Sequence, residues 1–116
     1  MPAAKFNLKN EKWATFKQRF KYRSGSGRPI NLENCSAKLQ VRQSIGSPDT
    51  LLELSTANTR IKPLSFDGNI EFDVPADVTG ALTFESGIFD LVITYSDGSK
   101  ERVLEGEIRV VDGVTR

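Results

Sequence analysis

Gly87-Ile88-Phe89-Asp90-Leu91-Val92-Ile93-Thr94-Tyr95-Ser96-Asp97-Gly98-Ser99-Lys100-Glu101-Arg102-Val103-Leu104-Glu105-Gly106-Glu107-Ile108-Arg109-Val110 decides the fold of this chain. Apolar and polar residues alternate on both sides of Asp97-Gly98, and both residues of that pair tolerate the positive φ of a tight hairpin turn. Successive side chains on a strand point to opposite faces. A two-residue loop sets Ser96 opposite Ser99, Val92 opposite Val103 and Leu91 opposite Leu104. Phe89, Leu91, Ile93 and Tyr95 then share the core face with Leu104, Ile108 and Val110. Asp90, Glu101, Glu105 and Glu107 share the outer face. One pairing is awkward: Asp90 falls opposite Glu105, and like charges facing each other across a ladder repel. A bulge or a nearby cation has to relieve it.

Upstream, the same period of two recurs. Phe16, Phe20 and Tyr22 alternate with Lys17, Arg19, Lys21 and Arg23, with Gln18 interrupting the apolar row. This is a half-buried strand with a basic outer face. Trp13 precedes it on the opposite parity and is expected to plug an end of the core. Ser24-Gly25-Ser26-Gly27 is a loop, and Pro29-Ile30-Asn31-Leu32 continues as an extended segment. Ala37, Leu39 and Val41 alternate with Lys38, Gln40 and Arg42. Leu51–Leu54 is a short strand, Thr59–Lys62 a weakly marked one. Ile70, Phe72 and Val74 alternate with Glu71 and Asp73. Pro75–Leu82 suits one or two helical turns, weakened by Val78, Thr79 and Gly80. Six to eight strands at roughly 10-residue spacing, punctuated by Gly, Pro and Asp, indicate a β-sandwich or small barrel.

Composition narrows the function. A length of 116 residues supports one domain. No apolar run approaches a membrane span, and Met1–Asn7 lacks the apolar stretch of a secretion signal. One cysteine, Cys35, rules out an internal disulfide, so a reducing cytoplasm is the expected folding compartment. Histidine is absent altogether, which removes the commonest general base and the commonest zinc ligand. Asp67, Asp97 and Asp112 each precede glycine, as turns require, and no stretch has calcium-loop spacing. Gly25 and Gly27 are followed by no Gly-Lys-Ser/Thr, so no phosphate loop is present. Glu105 and Glu107 lie two apart on one solvated face rather than in a cleft. No enzyme, metal or cofactor is expected.

Charge is the informative feature. Residues 1–28 carry eight basic side chains against Glu11 alone, a net +7, and the remainder carries −6. The candidate interface residues are therefore Lys17, Arg19, Lys21 and Arg23 on the basic face, and Asp90, Glu101, Glu105 and Glu107 on the acidic face. The basic stripe admits three readings: a solvated face, a polyanion or nucleic-acid surface, or contact with acidic groups on a neighbouring strand or subunit. Nucleic acid is disfavoured because stacking needs aromatics on the cationic face, and parity puts Phe16, Phe20 and Tyr22 on the other.

Three segments together resemble a known family. Pro29-Ile30-Asn31-Leu32 with Ala37-Lys38-Leu39-Gln40-Val41-Arg42 resembles a Pro-hydrophobic-Asp-Leu … Ala-x-hydrophobic-x-hydrophobic-Arg segment. Gly87-Ile88-Phe89-Asp90-Leu91, Asp97-Gly98 and Arg102-Val103-Leu104-Glu105-Gly106 resemble Gly-x-Tyr-Asp-Leu … Asp-Gly … Arg-Leu-Leu-Glu-Gly. Val114-Thr115-Arg116 matches a recurrent Val-Thr-Arg ending. The pattern, over about residues 13–116, is similar to that of small tailed-bacteriophage structural proteins and of the N-terminal β-domain of baseplate upper proteins. It departs from them at Asn31 for Asp and Phe89 for Tyr. The resemblance implies an all-β, immunoglobulin-like sandwich of about seven antiparallel strands with one short helical turn. It also implies a virion component of the tail, baseplate or fibre-attachment region, made in the host cytoplasm. Its expected partners are copies of itself and other virion proteins, in a homo-oligomeric assembly without membrane. Residues 13–116 are then the sandwich and residues 1–12 an N-terminal arm, with Lys5–Lys12 lying on a neighbour.

Overall fold

A computed structural model describes residues 3–115. Its elements are β1 (Ala4–Lys5), β2 (Leu8–Glu11), β3 (Phe16–Lys21), β4 (Ser36–Arg42), β5 (Leu52–Ser55), β6 (Asn69–Val74), α1 (Ala76–Gly80), β7 (Ser86–Thr94) and β8 (Lys100–Val111). One sheet runs β1-β8-β7-β4-β5, with β2 also on β8, and the second pairs β3 with β6. This is an immunoglobulin-like sandwich. The order β8-β7-β4-β5 corresponds to strands G-F-C-C′, and β3-β6 to the B-E pair.

The alternation in the sequence is what builds the layers. β4, β6 and β7 bury every second residue. Leu39 and Val41 from β4, Phe72 and Val74 from β6, and Leu91 and Ile93 from β7 meet between the sheets. Leu32 and Ile61, from segments outside the strands, are also fully buried. The weakly marked Thr59–Lys62 segment runs beside β6: Ile61 bridges to Phe72, and Lys62 N–H donates to Glu71 O at 2.9 Å. α1 is a single short turn, held by the Thr79 hydroxyl, which donates to Ala14 O at 2.9 Å.

Four expectations are corrected. Residues 4–11 are not an extended arm. β1 and β2 lie on β8 of their own domain, with Leu8 buried among the core residues. They run parallel to β8, and the described residues form eight strands, not all of them antiparallel. Met1, Pro2 and Arg116, the last residue of the Val-Thr-Arg ending, lie outside the described residues.

The hairpin turn is one residue longer than expected. Tyr95 N–H donates to Ser99 O at 2.8 Å, so Ser96, Asp97 and Gly98 form the loop, and Gly98 takes φ 89°. A register shift between Leu91 and Val92 leaves Val103 unpaired and restores the expected pairs Leu91–Leu104 and Asp90–Glu105. Trp13 does not plug the core. It is 42% exposed, and its ring lies against the Cα face of Gly80, where any side chain would collide with it.

Candidate functional site

The basic stripe is placed as its parity demands. Lys17, Arg19 and Lys21 are exposed on the outer face of β3, and Phe16 and Phe20 turn inward. Arg23 lies just beyond the strand and donates to Gly27 O at 3.0 Å. Opposite the stripe, β6 presents its own outer row: Lys17 faces Asp73, Arg19 faces Glu71 and Lys21 faces Asn69. Arg19 bonds Glu71 at 3.2 Å, while Asp73 turns to Lys62 at 3.4 Å. The stripe thus meets acidic groups within its own sheet, at Arg19. Lys17 and Lys21 make no ion pair among the described residues. Asp67, beside Lys21, is held below the ordinary carboxylate pKa by hydrogen bonds from the Ser65 hydroxyl and then the Asn69 N–H.

The acidic face is less uniform than the sequence suggests. Asp90, Glu105 and Glu107 do share the outer face of the larger sheet, where they line a shallow depression of about 680 Å³. Cations sit among them. Arg102 Nε donates to Asp90 Oδ2 at 2.8 Å, and Lys5 pairs in register with Glu105. Arg102 is therefore the cation that the Asp90–Glu105 pairing requires.

Glu101 is not on this face. The unpaired Val103 reverses the parity of the residues before it, so Glu101 stands opposite Ile93, a core position. Its Oε1 accepts from the Tyr22 hydroxyl at 2.6 Å and from the Tyr95 hydroxyl at 2.8 Å. Tyr22 extends from β3 and Tyr95 follows β7, so the carboxylate ties the small sheet to the hairpin. Hydrogen bonds from Tyr22 and then Tyr95 hold Glu101 below its usual carboxylate range. Burial first, and then the Glu101 carboxylate, push both phenols above their usual value. The sequence carried one signal for this cluster: Tyr95 and Glu101 flank the same hairpin turn, while nothing in it places Tyr22 beside them.

Between β3 and β1 the sandwich is open at its side. Phe6 crosses this seam to Phe20, with ring centroids 5.1 Å apart and near-perpendicular planes. Beside them lies a slot of about 120 Å³ lined by Ala4, Phe20, Lys21, Tyr22, Ile70, Leu91, Val103 and Leu104. Among the described residues no cluster of three metal-ligating side chains forms, and no helix is long and apolar enough to cross a membrane. Cys35 is half-buried, its thiol 3.6 Å from Glu33 O.

No protein-family model matches the chain, and no curated protein matches it in sequence. Among solved structures it is similar to CopC from Methylosinus trichosporium OB3b, at 17% identity and a TM-score of 0.46, over 99% of this chain and 91% of that one. It is also similar to extracellular domains 3–5 of Drosophila OTK, at 14% identity and a TM-score of 0.35, over 94% of this chain and 33% of that one. Likenesses at this level carry no functional argument.

Proposed function

We propose that this chain is a structural protein of a tailed-bacteriophage virion, in the tail, baseplate or fibre-attachment region, working by protein–protein assembly and not by catalysis. What supports the reading is where the family-like segments fall. Ala37–Arg42, Gly87–Leu91 and Arg102–Gly106 occupy the adjacent strands β4, β7 and β8. Both strand glycines of the pattern stand at close approaches. A side chain at Gly87 would come within 2.7 Å of Val41 Cγ1. One at Gly106 would run into the Phe6 carbonyl. The pattern is thus tied to one packed surface, and the observation that carries the proposal is this coincidence of motif glycines with crowded backbone. The mosaic of cations and carboxylates on both outer faces suits recognition of protein neighbours by charge complementarity.

The direct experiment is imaging of the intact particle with this chain traced in it, supported by mass spectrometry of purified particles. The chain in a defined tail or baseplate position bears the reading out; its absence from purified particles ends it. The alternative is a polyanion-binding β-domain using residues 17–23, and it draws on the unpaired Lys17 and Lys21. Glu71 and Asp73 in the adjacent row count against it. Retention on heparin that falls steeply with salt would favour it.

A further inference from the structure

β3 has a strand on one side only. Tyr22 N–H donates to Gly68 O at 2.8 Å, continuing the ladder in which Phe20 pairs with Ile70 and Gln18 with Phe72. That phase turns the backbone groups of the even-numbered residues toward β6, and those of Lys17, Arg19 and Lys21 away from it. Among the described residues nothing bonds those three outward N–H and C=O pairs.

Other margins are closed or short. At β5, Asn58 Nδ2 and Arg60 Nη1 donate to Glu53 O at 3.0 and 2.9 Å, and Asn58 Oδ1 accepts from Ser55 N–H. The far side of β6 is taken by residues 60–62. The β1–β2 margin consists of two short pieces. β3 offers six continuous residues, a row of cations on its outer face and the mostly apolar slot beneath its inner face.

We infer that the β3 margin docks an extended segment of another protein as an added strand, one whose residues alternate acidic and apolar. The acidic row lies beside Lys17, Arg19 and Lys21, where opposite charges across a ladder attract. The apolar row points into the seam, and the 120 Å³ slot takes one of its side chains; an apolar cavity of about 150 Å³ holds a benzene ring. A second copy of β3 is the wrong occupant, because it would set three cations against three. Edge lysines repel like strands in this way, yet they admit an acidic one. Backbone bonds give such a docked strand its affinity and the alternating pockets its specificity. The inference rests on the assembly reading and supplies its mode of contact.

The test uses the whole chain and a synthetic ten-residue peptide alternating glutamate with valine, followed by labelled-peptide anisotropy and residue-resolved amide exchange. The peptide is expected to bind and to slow exchange at the Lys17, Arg19 and Lys21 amides. The double variant Lys17→Glu, Lys21→Glu is expected to bind roughly tenfold more weakly. A peptide of the same composition, with glutamates and valines in separate blocks, should lose a similar factor. Arg19→Pro removes an outward N–H and leaves the backbone bonds to β6 in place while giving up the Arg19–Glu71 pair, and should also weaken binding; if it fails to fold, the charge-reversal variant decides. Absence of binding, equal binding of the block peptide, protection elsewhere, or tighter binding of a ten-nucleotide poly-dT each overturns the inference. Sedimentation separates it from the assembly reading: a chain that self-associates while its β3 amides exchange freely keeps that reading and ends this one.

Discussion

The Tyr22 hydroxyl donates to Glu101 Oε1 across 2.6 Å, joining residues 79 positions apart in the chain. Tyr95 donates to the same oxygen, so one carboxylate holds two phenols from two different strands. Hydrogen bonds to an ionised acceptor are about twice as strong as neutral ones, and this pair closes one end of the seam between the sheets.

Glu101→Gln is expected to destabilise the fold by about 1–2 kcal/mol, because the amide keeps the shape and loses the charge. Tyr22→Phe should cost about 1 kcal/mol. Urea unfolding of both variants checks this. A Glu101→Gln protein as stable as its parent would mean that the carboxylate holds nothing.

The same cluster sets a pH dependence. Glu101 titrates below its ordinary 4.5 in the folded state, so its contribution is present above that value and lost as pH falls through the folded pKa. Tyr22 and Tyr95 titrate above their ordinary 10.0, so theirs is present below 10 and lost as pH rises through the folded values. A melting-temperature profile should therefore be flat between about pH 5 and 9. In Glu101→Gln both limbs become shallower. Asp67 and Asp97, also lowered, keep part of the acid limb. A variant profile merely displaced downward, with unchanged limbs, would refute the assignment.

Arg102 bonds Asp90, one of two carboxylates that face each other, Asp90 and Glu105. Arg102→Ala should cost about 0.5 kcal/mol, the range of exposed ion pairs, and Glu105→Gln in the same chain should recover part of it. A double-mutant cycle with no coupling between the two changes would show that the facing pair needs no cation.

Gly106→Ala puts a methyl group against the Phe6 carbonyl. The expected cost is about 1–3 kcal/mol, with faster exchange of the Phe6 amide, which donates to Glu105 O at 2.9 Å. Gly25→Ala, with open space around it, is the neutral control. Unchanged Phe6 exchange in the Gly106 variant would contradict the packing described.

Asn10 is fully buried on β2, and neither its Nδ2 nor its Oδ1 has a hydrogen-bond partner among the described residues. Replacing it by leucine, similar in size and without polar atoms, should raise stability by about 1 kcal/mol. Thermal melting decides the matter, and a lower midpoint for Asn10→Leu would contradict the expectation.

Most of the sandwich was legible because its strands announce themselves by alternation: Ala37 to Arg42, Ile70 to Val74 and the two arms of the last hairpin all lie where the pattern puts them. β1 and β2 were not. Leu8 and Asn10 give too short an alternation, and a parallel pairing with a strand one hundred residues away leaves no turn to read. The site was legible in part. Lys17, Arg19 and Lys21 face outward as their spacing requires, but the partner of Arg19 depends on a cross-strand register that only the folded chain fixes. Glu101 was misplaced because a loop longer by one residue and an unpaired Val103 cancel in the distant register while reversing the faces between them. Adjacent inward residues, Val103 and Leu104, were the visible trace of that break.

β1 and β2 share one register on β8, from Ala4 beside Leu104 to Glu11 beside Val111. Tension drawn between residue 4 and residue 111 therefore runs along this parallel ladder from opposite ends. It loads the hydrogen bonds side by side in shear, and they must yield together rather than unzip one after another. A pull along β8 therefore meets more resistance than one that peels β1 and β2 away from it.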